Sequence, residues 1–281
     1  MKWKGRQGSS NVEDKRGMSG KGMAGIGGGV GLIIVLIVTL LGGNPSELLD
    51  GLTSPDPGSG GTYVESDEEK ELAQFVSVVL ADTERVWTEE FRKNGLEYEE
   101  PTLVLYSGSV ESACGMAGSS VGPFYCPGDK KLYIDLSFYQ ELKEEFQAPG
   151  DFAMAYVIAH EVGHHVQTLL GTTKKVMPDR SKVSETEYNK YSVRLELQAD
   201  YLAGVWAHHV QGEDLLEKGD LDEALNAASG VGDDSIQKKA QGYAVPDSFT
   251  HGTSEQRKRW FNKGFESGNM NEGNTFEAKN L

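Results

Sequence analysis

The feature that most constrains this chain is the hexapeptide His160-Glu-Val-Gly-His-His165, which contains a His-Glu-x-x-His pattern. Residues four apart on an α-helix lie one turn apart on the same face, so His160 and His164 can offer two imidazole nitrogens to one metal ion. Glu161 then reaches a metal-bound water rather than the metal. The pattern predicts a zinc site in which Glu161 is the general base for hydrolysis of a peptide bond.

The segment around this motif has helical character. Residues 151–170 contain no proline, and their apolar residues recur near helical spacing between Gly150 and Gly171. We therefore expect one half-buried helix to carry both histidines. A catalytic zinc normally takes three protein ligands, so a third ligand must come from another part of the chain.

Glu196 is the best candidate for the third ligand. It lies in a second helical segment, residues 184–209, and Asp200 follows one turn later on the same face. Asp200 can accept a hydrogen bond from the non-ligating nitrogen of a zinc-bound histidine, which fixes the ring. The alternative is that both acids belong to a solvated helix face, but the apolar residues around them favour the metal site.

Four motifs, in this order, together resemble the bacterial putative neutral zinc metallopeptidase family of the YpfJ type: Gly122-Pro-Phe-Tyr-Cys-Pro127, His160-Glu-Val-Gly-His-His-Val-Gln167, Glu196-Leu-Gln-Ala-Asp200 and Asp247-Ser-Phe-Thr-His-Gly-Thr-Ser-Glu-Gln-Arg257. The resemblance extends from about residue 62 to about residue 276. It implies a membrane-anchored, gluzincin-like peptidase with a zincin-like fold. It also implies that His160, His164 and Glu196 bind Zn²⁺ and that Glu161 is the base.

The last of these motifs contains two further candidates. His251 could donate a hydrogen bond to a developing oxyanion, which would make it catalytic. The alternative is that His251 merely adjoins a helix cap formed by Thr253 or Ser254. We expect Arg257 to pair with a carboxylate near the zinc site.

This chain also departs from the family pattern. Family members carry a cysteine directly after the Gln-Ala-Asp sequence and another just before Asn-Thr-Phe, whereas this chain has Tyr201 and Gly273 at those positions. The chain therefore lacks an optional disulfide, which leaves open how the C-terminal tail is held.

The two cysteines, Cys114 and Cys126, enclose a glycine-rich segment. In an exported domain they would form a disulfide that closes this loop, with a stabilisation of about 3 kcal/mol. Zinc binding by the cysteines is the weaker alternative, because the spacing is not Cys-x-x-Cys and no histidine is near.

The N-terminal part of the sequence divides into three segments. Residues 1–22 form a basic tail that we expect to be disordered and cytoplasmic, and residues 44–65 form a flexible linker rich in Pro, Gly, Ser and Asp. Between them, residues 23–43 are predicted to form one transmembrane helix, because 19 consecutive positions lack charge and would span about 28 Å.

A cleaved signal peptide is the main alternative, although no small-x-small cleavage pattern follows the apolar run; a buried soluble helix is the other. The positive-inside rule places the N-terminus in the cytoplasm and the catalytic domain outside a bacterial inner membrane. The predicted peptidase domain covers residues 66–268, and residues 269–281 form a C-terminal tail.

The charge of the chain excludes one class of partner. The formal net charge is −16, and the basic tail hides a stronger imbalance, because 21 basic and 41 acidic residues remain beyond it. Such a surface repels nucleic acid, so we expect no nucleic-acid partner. The expected partners are a peptide or protein substrate and a lipid bilayer, and the sequence does not indicate an oligomeric state.

The secondary-structure pattern predicts a predominantly helical α+β fold. A long amphipathic helix over residues 67–93 is followed by short strands near residues 102–106, 124–126 and 131–136, and then by helices alone. We expect residues 122–136 to provide an edge strand that binds an extended substrate. Two other functions stay open: an inactive zinc-binding interaction domain of the cell envelope, and a hydrolase that acts on a non-peptide envelope amide or glycan.

Overall fold

The computed structural model of the protein describes residues 1–17 and 63–281. The strands in these ranges are β1 (Val12–Asp14), β2 (Thr102–Tyr106), β3 (Ser109–Ser112), β4 (Gly115–Gly118), β5 (Phe124–Cys126) and β6 (Lys131–Asp135). The α-helices are α1 (Asp67–Lys93), α2 (Phe138–Glu144), α3 (Asp151–Leu169), α4 (Thr172–Val176), α5 (Glu185–Gly212), α6 (Asp220–Gly230), α7 (Asp233–Gln241) and α8 (Ser254–Ser267). The predicted class, a mainly helical α+β fold, is confirmed.

The main sheet has the strand order β1-β2-β6-β5. The first three strands are parallel, whereas β5 runs antiparallel to β6 and forms one edge of the sheet. β3 and β4 form a separate antiparallel hairpin. The sequence predicted β2, β5 and β6 but neither β1 nor the hairpin, because both lack alternating apolar residues.

Helix α3 occupies the centre of the helical layer and packs against α1, α5 and α6. It is buried over most of its length because apolar residues cover more than one of its faces. Phe152 of α3 stacks on Trp206 of α5 with ring centroids 5.6 Å apart. Long helix α1 begins with a capping box in which Ser66 and Glu69 satisfy each other's backbone N–H groups.

Helices α5 and α8 approach each other unusually closely at two glycines. A Cβ atom on Gly204 would lie 2.0 Å from the carbonyl oxygen of Phe261, and one on Gly264 would lie 1.9 Å from that of Tyr201. Any side chain at these positions would therefore force the helices apart. This contact fixes where the second half of α8 packs against the second half of α5.

Residues 1–17 belong to the folded domain, so the prediction of a disordered basic tail is wrong for this part of the chain. β1 extends the main sheet, and Val12 pairs with Leu103. Trp3 is buried and packs edge-on against Phe75 of α1, with ring centroids 5.4 Å apart. The charge and composition of residues 1–17 alone do not reveal these contacts.

Ion pairs hold the same segment. The Arg6 guanidinium donates hydrogen bonds of 2.7 and 2.5 Å to the buried Asp82 carboxylate. Arg16, itself buried, donates to the carboxylates of Asp14 and Glu65. The basic residues that suggested a solvated tail therefore pair with acidic groups of this strongly acidic chain.

The C-terminal residues also pack on the domain, so residue 268 is too early an end for it. Gln198 donates a 2.9 Å hydrogen bond to the Gly273 carbonyl, and Tyr201 donates one of 2.7 Å to the Asn269 carbonyl. A Cβ on Gly273 would lie 2.3 Å from the Tyr201 ring. The two positions that carry cysteines in family members are thus in contact here, and the tyrosine ring needs a glycine opposite it.

The two described ends that flank residues 18–62 are close together in the structure. A Cβ on Gly17 would lie only 2.4 Å from the Tyr63 Cβ, so the two described ends that flank residues 18–62 lie side by side. A chain that crosses a bilayer once leaves its two flanks on opposite sides. The orientation of the chain across a membrane stays a prediction, and this proximity favours a common side for residues 1–17 and the catalytic domain.

The anchor predicted at residues 23–43 and most of the linker predicted at 44–65 lie outside the described residues. Among the helices found in residues 1–17 and 63–281, none combines the length and the apolar character that a bilayer span requires.

We predict that Arg6→Met lowers the free energy of unfolding by about 1–2 kcal/mol, because Asp82 is then left buried without its main partner. Lys4→Met is the matched control, since the Lys4–Glu71 pair is exposed and should contribute little. Denaturant unfolding of the full chain in detergent measures both. Equal stability of the two variants would contradict the docking of residues 1–17.

We also predict that the N-terminal residues and the catalytic domain face the same compartment. Gln7→Cys and Asp222→Cys each place one thiol on an exposed position, while the native cysteines are joined and unreactive. A membrane-impermeant maleimide should label both variants in intact cells, or both only after permeabilisation. Labelling of one thiol in intact cells and of the other only after permeabilisation would show that the two positions face different compartments.

Candidate metal centre

The centre is built where helices α3 and α5 cross. Gly163 lies between the two histidines of the motif, and a Cβ there would sit 2.9 Å from the Ala199 carbonyl oxygen. Only glycine permits this approach of the two backbones. The crossing brings Glu196 of α5 to the face of α3 that carries His160 and His164.

Three ligand atoms converge at this crossing. Glu196 Oε2 lies 3.1 Å from His160 Nε2, and its Oε1 lies 3.4 Å from His164 Nε2. All three candidate ligand atoms lie within 4.8 Å of one another. Ligands of a tetrahedral zinc ion are separated by roughly 3.3 Å, as metal–ligand distances of about 2.0–2.2 Å require. The donor set and its spacing therefore fit Zn²⁺.

The surroundings of His160 supply a second argument for a cation. Its Nδ1 lies 2.8 Å from Asp200 Oδ1 while its Nε2 faces Glu196, so both ring nitrogens meet carboxylates. A neutral imidazole carries only one N–H group. Burial lowers the pKa of His160, but the two carboxylates outweigh burial and raise it to about 9. A metal ion at Nε2 would remove the need for that proton.

Asp200 is the centre of a buried polar network. The Arg257 guanidinium donates to both of its oxygens, at 2.9 and 3.0 Å, and the Tyr156 hydroxyl donates at 2.5 Å. Burial raises the pKa of the Asp200 carboxyl, but Arg257 and His160 more than offset this and keep it ionised. The structure thus places Arg257 on the carboxylate that orients His160. The role of Tyr156 was not predicted.

Gln167 holds the second histidine and was also not assigned a role from the sequence. Its Oε1 lies 2.9 Å from His164 Nδ1, which leaves Nε2 of that ring to face Glu196. Its amide nitrogen donates to the Leu195 carbonyl and to Gln198 Oε1 on α5. The only sequence signal is its spacing of three residues after His164, which places it one helical turn away.

Glu161 lies beside the edge strand. Burial raises the pKa of its carboxyl, while the nearby His164 and His160 and a hydrogen bond from the Tyr125 backbone act in the opposite direction without cancelling the effect. A carboxylate with a raised pKa accepts a proton more readily, as a general base must. Strand β5 therefore lies next to the metal centre at Glu161, the predicted general base.

His251 reaches the same cavity from a loop before α8. Asp233 holds this loop, because one of its oxygens accepts the backbone N–H groups of residues 250, 251 and 252 at 2.6–2.9 Å. Its other oxygen lies 3.2 Å from His251 Nδ1. Thr253 caps α8 in a capping box with Gln256, so the cap and the cavity position of His251 coexist. The part played by Asp233 could not be read from spacing.

Cys114 and Cys126 form a disulfide with Cα atoms 5.8 Å apart. Cys114 lies in the turn of the β3–β4 hairpin, and Cys126 ends β5. The bond therefore ties the hairpin to the edge strand next to the metal centre.

The centre opens into a cavity of about 410 Å³. Its walls come from β5 and the residues before it, from α3, and from the segments around α7 and His251. The lining includes His160, Glu161, His164 and Glu196. The volume lies within the range of small-molecule binding sites, about 300–1,000 Å³.

Comparison with known proteins agrees with this geometry. The sequence model of a family described as putative neutral zinc metallopeptidase matches residues 1–276. The chain belongs to this family. The match confirms the resemblance drawn from the four motifs, and it includes residues 1–17, which the resemblance did not cover.

The chain is similar to YpfJ of Escherichia coli K12, with 51% identity over 283 residues that cover 98% of this chain and 99% of that protein. It is also similar to Rv2575 of Mycobacterium tuberculosis H37Rv and Mb2605 of Mycobacterium bovis, with 42% identity over 196 residues in each case, or 66% of this chain and 65% of theirs. No solved structure matches the chain.

We predict that Gln167→Ala weakens zinc binding by about 10- to 100-fold, because His164 loses the partner that fixes its ring. Gln167→Glu keeps an acceptor for His164 Nδ1 and should bind zinc at least as tightly as the wild type. Gln211→Ala, on an exposed turn of α5, is the control. Competition with a chromophoric chelator measures the zinc affinities of the wild type and the three variants. An equal loss of zinc affinity in Gln167→Ala and Gln167→Glu would show that Gln167 connects α3 and α5 without orienting His164.

Proposed function

We propose that this protein is a zinc-dependent peptidase that hydrolyses peptide bonds. The observation that carries the proposal is the convergence of His160, His164 and Glu196 within 4.8 Å beside the buried carboxyl of Glu161. Two imidazoles and one carboxylate, with a fourth position left for water, are the ligands of catalytic zinc in known peptidases. Family membership supports the same activity at a coarser level.

Each residue has a distinct task in the proposed reaction. Bound zinc would lower the pKa of a water molecule and polarise the scissile carbonyl. Glu161 takes a proton from the attacking water and passes it to the nitrogen of the leaving amine. Asp200 keeps the His160 ring in its ligating orientation, and Gln167 does the same for His164.

Two other elements act on the substrate. β5 is the edge strand beside Glu161, so an extended peptide can pair with its backbone. Burial lowers the pKa of His251, but the hydrogen bond with Asp233 and the nearby Glu196 raise it above its ordinary value. In the protonated ring, Nδ1 donates to Asp233 and Nε2 donates a hydrogen bond to the carbonyl oxygen of the substrate as negative charge develops there. This contact strengthens in the transition state and therefore raises kcat rather than substrate affinity.

For the location of the protein, we propose an oxidising compartment at the bacterial inner membrane. The Cys114–Cys126 disulfide supports the compartment, because such bonds persist outside the cytoplasm. The uncharged run within residues 23–43 supports contact with the bilayer. In this arrangement residues 1–17 share the compartment of the catalytic domain.

Glu161→Gln tests the proposed function. The variant should retain one zinc ion per molecule, because residue 161 is not a ligand, and should lose peptide cleavage by about 10²- to 10⁴-fold. Metal content by elemental analysis and cleavage of a mixed peptide pool measure both quantities. A chelator should abolish wild-type cleavage, and added zinc should restore it.

Two further variants complete this experiment. Glu185→Gln, at the exposed start of α5, should behave as the wild type. His251→Ala should reduce kcat while KM changes little, as expected for a contact that matters mainly in the transition state. Undiminished cleavage by zinc-loaded Glu161→Gln would eliminate the general-base assignment.

A further inference from the structure

Two chemically different groups of residues line the cavity at the metal centre. One group contains the candidate ligands together with Glu161, His251 and Arg257. The other group, named the apolar end, consists of Val121, Pro123, Phe124, Phe138, Phe146, Val157, Val231 and Ile236. These apolar residues come from different parts of the chain, the segment leading into β5, the surroundings of α2, the middle of α3, and α7. No single element accounts for the apolar end.

The floor of the apolar end is preformed. Phe138 and Val157 are each only 7% exposed, and the Phe138 and Phe146 rings lie 6.0 Å apart at an angle of 49°. Val157 lies one turn before Glu161 on α3, so the floor adjoins the reacting atoms. Gly122, with φ of 76°, passes over Phe138 close enough that a Cβ would touch the ring at 3.5 Å.

Two apolar residues of this group are exposed to solvent. Val121 is 49% exposed and Ile236 is 41% exposed, and both line the cavity. Exposed apolar residues that line a cavity favour an apolar ligand there.

The charges of the residues that line the cavity also favour an apolar ligand. The chain contains 43 acidic residues, yet among the described residues that line this cavity the acidic side chains are Glu161 and Glu196, both in the group that contains the candidate ligands. No lysine lines the cavity in the described part of the chain. A charged substrate side chain would therefore lose its water at the apolar end without gaining a partner.

We propose that the apolar end is the specificity pocket of this enzyme and that it receives a bulky apolar side chain, such as Phe or Leu, from the residue next to the scissile bond. The inference rests on the proposed peptidase function and adds its substrate class. Burial of such a side chain predicts a preference of about tenfold to hundredfold in kcat/KM over Gly or Asp at the same position.

Quenched fluorescent peptides that differ only at one central residue, Phe, Leu, Gly or Asp, test the pocket. The zinc-loaded wild type should cleave the Phe and Leu peptides at least tenfold better. Ile236→Glu, at an exposed residue of the apolar end, should lose most of this preference and gain cleavage of a Lys peptide. Val245→Glu is the matched control, because Val245 is 39% exposed but does not line the cavity; it should retain the wild-type preference.

A binding measurement separates failure of the pocket from failure of the peptidase function. Two hydroxamates, one with a benzyl and one with a carboxymethyl side chain, are titrated into zinc-loaded Glu161→Gln protein by calorimetry. The benzyl compound should bind at least tenfold more tightly, and Ile236→Glu should reduce the difference. Peptide cleavage without residue preference, or equal hydroxamate affinities, would overturn the pocket alone. Absence of all cleavage would overturn the peptidase function. The difference between the two hydroxamate affinities would then show whether the apolar end binds an apolar side chain.

Discussion

The structure depends on the close crossing of α3 and α5 at Gly163 and Ala199. The metal ligands come from two helices that are remote in sequence, and their spacing is set by how near the backbones approach. With a Cβ at residue 163, the 2.9 Å contact with the Ala199 carbonyl would push α5 away and take Glu196 and Asp200 with it. The glycine inside the His-Glu-x-x-His pattern is therefore as important to the centre as the histidines, although it binds nothing.

Charge balance favours a cation at this crossing. Glu161, Glu196 and Asp200 place three carboxyl groups around two imidazoles, and Arg257 supplies one compensating positive charge within hydrogen-bonding distance of Asp200. Removing carboxylates from water costs several kcal/mol each unless opposite charge is near. A divalent ion between the imidazoles and Glu196 would complete the balance. The Asp200–Arg257 pair remains ionised in its absence and keeps His160 in place.

Much of the fold and centre could be predicted because their signals are local. Helical spacing located α1, α3 and α5, and ligand chemistry selected His160, His164 and Glu196. The docking of residues 1–17 could not be predicted, because β1 consists of only Val-Glu-Asp, and the segment is held by distant partners, β2 for β1 and α1 for Trp3 and Arg6. Tyr156, Gln167 and Asp233 were missed for a related reason: each acts through contacts that only the folded backbone brings together.

Anomalous diffraction at the zinc absorption edge, from crystals of protein purified without added metal, tests the central claim most directly. The account predicts one strong peak within about 2.0–2.3 Å of His160 Nε2, His164 Nε2 and a Glu196 carboxylate oxygen. A metal peak elsewhere, or no peak at this crossing in protein that contains stoichiometric zinc, would contradict it.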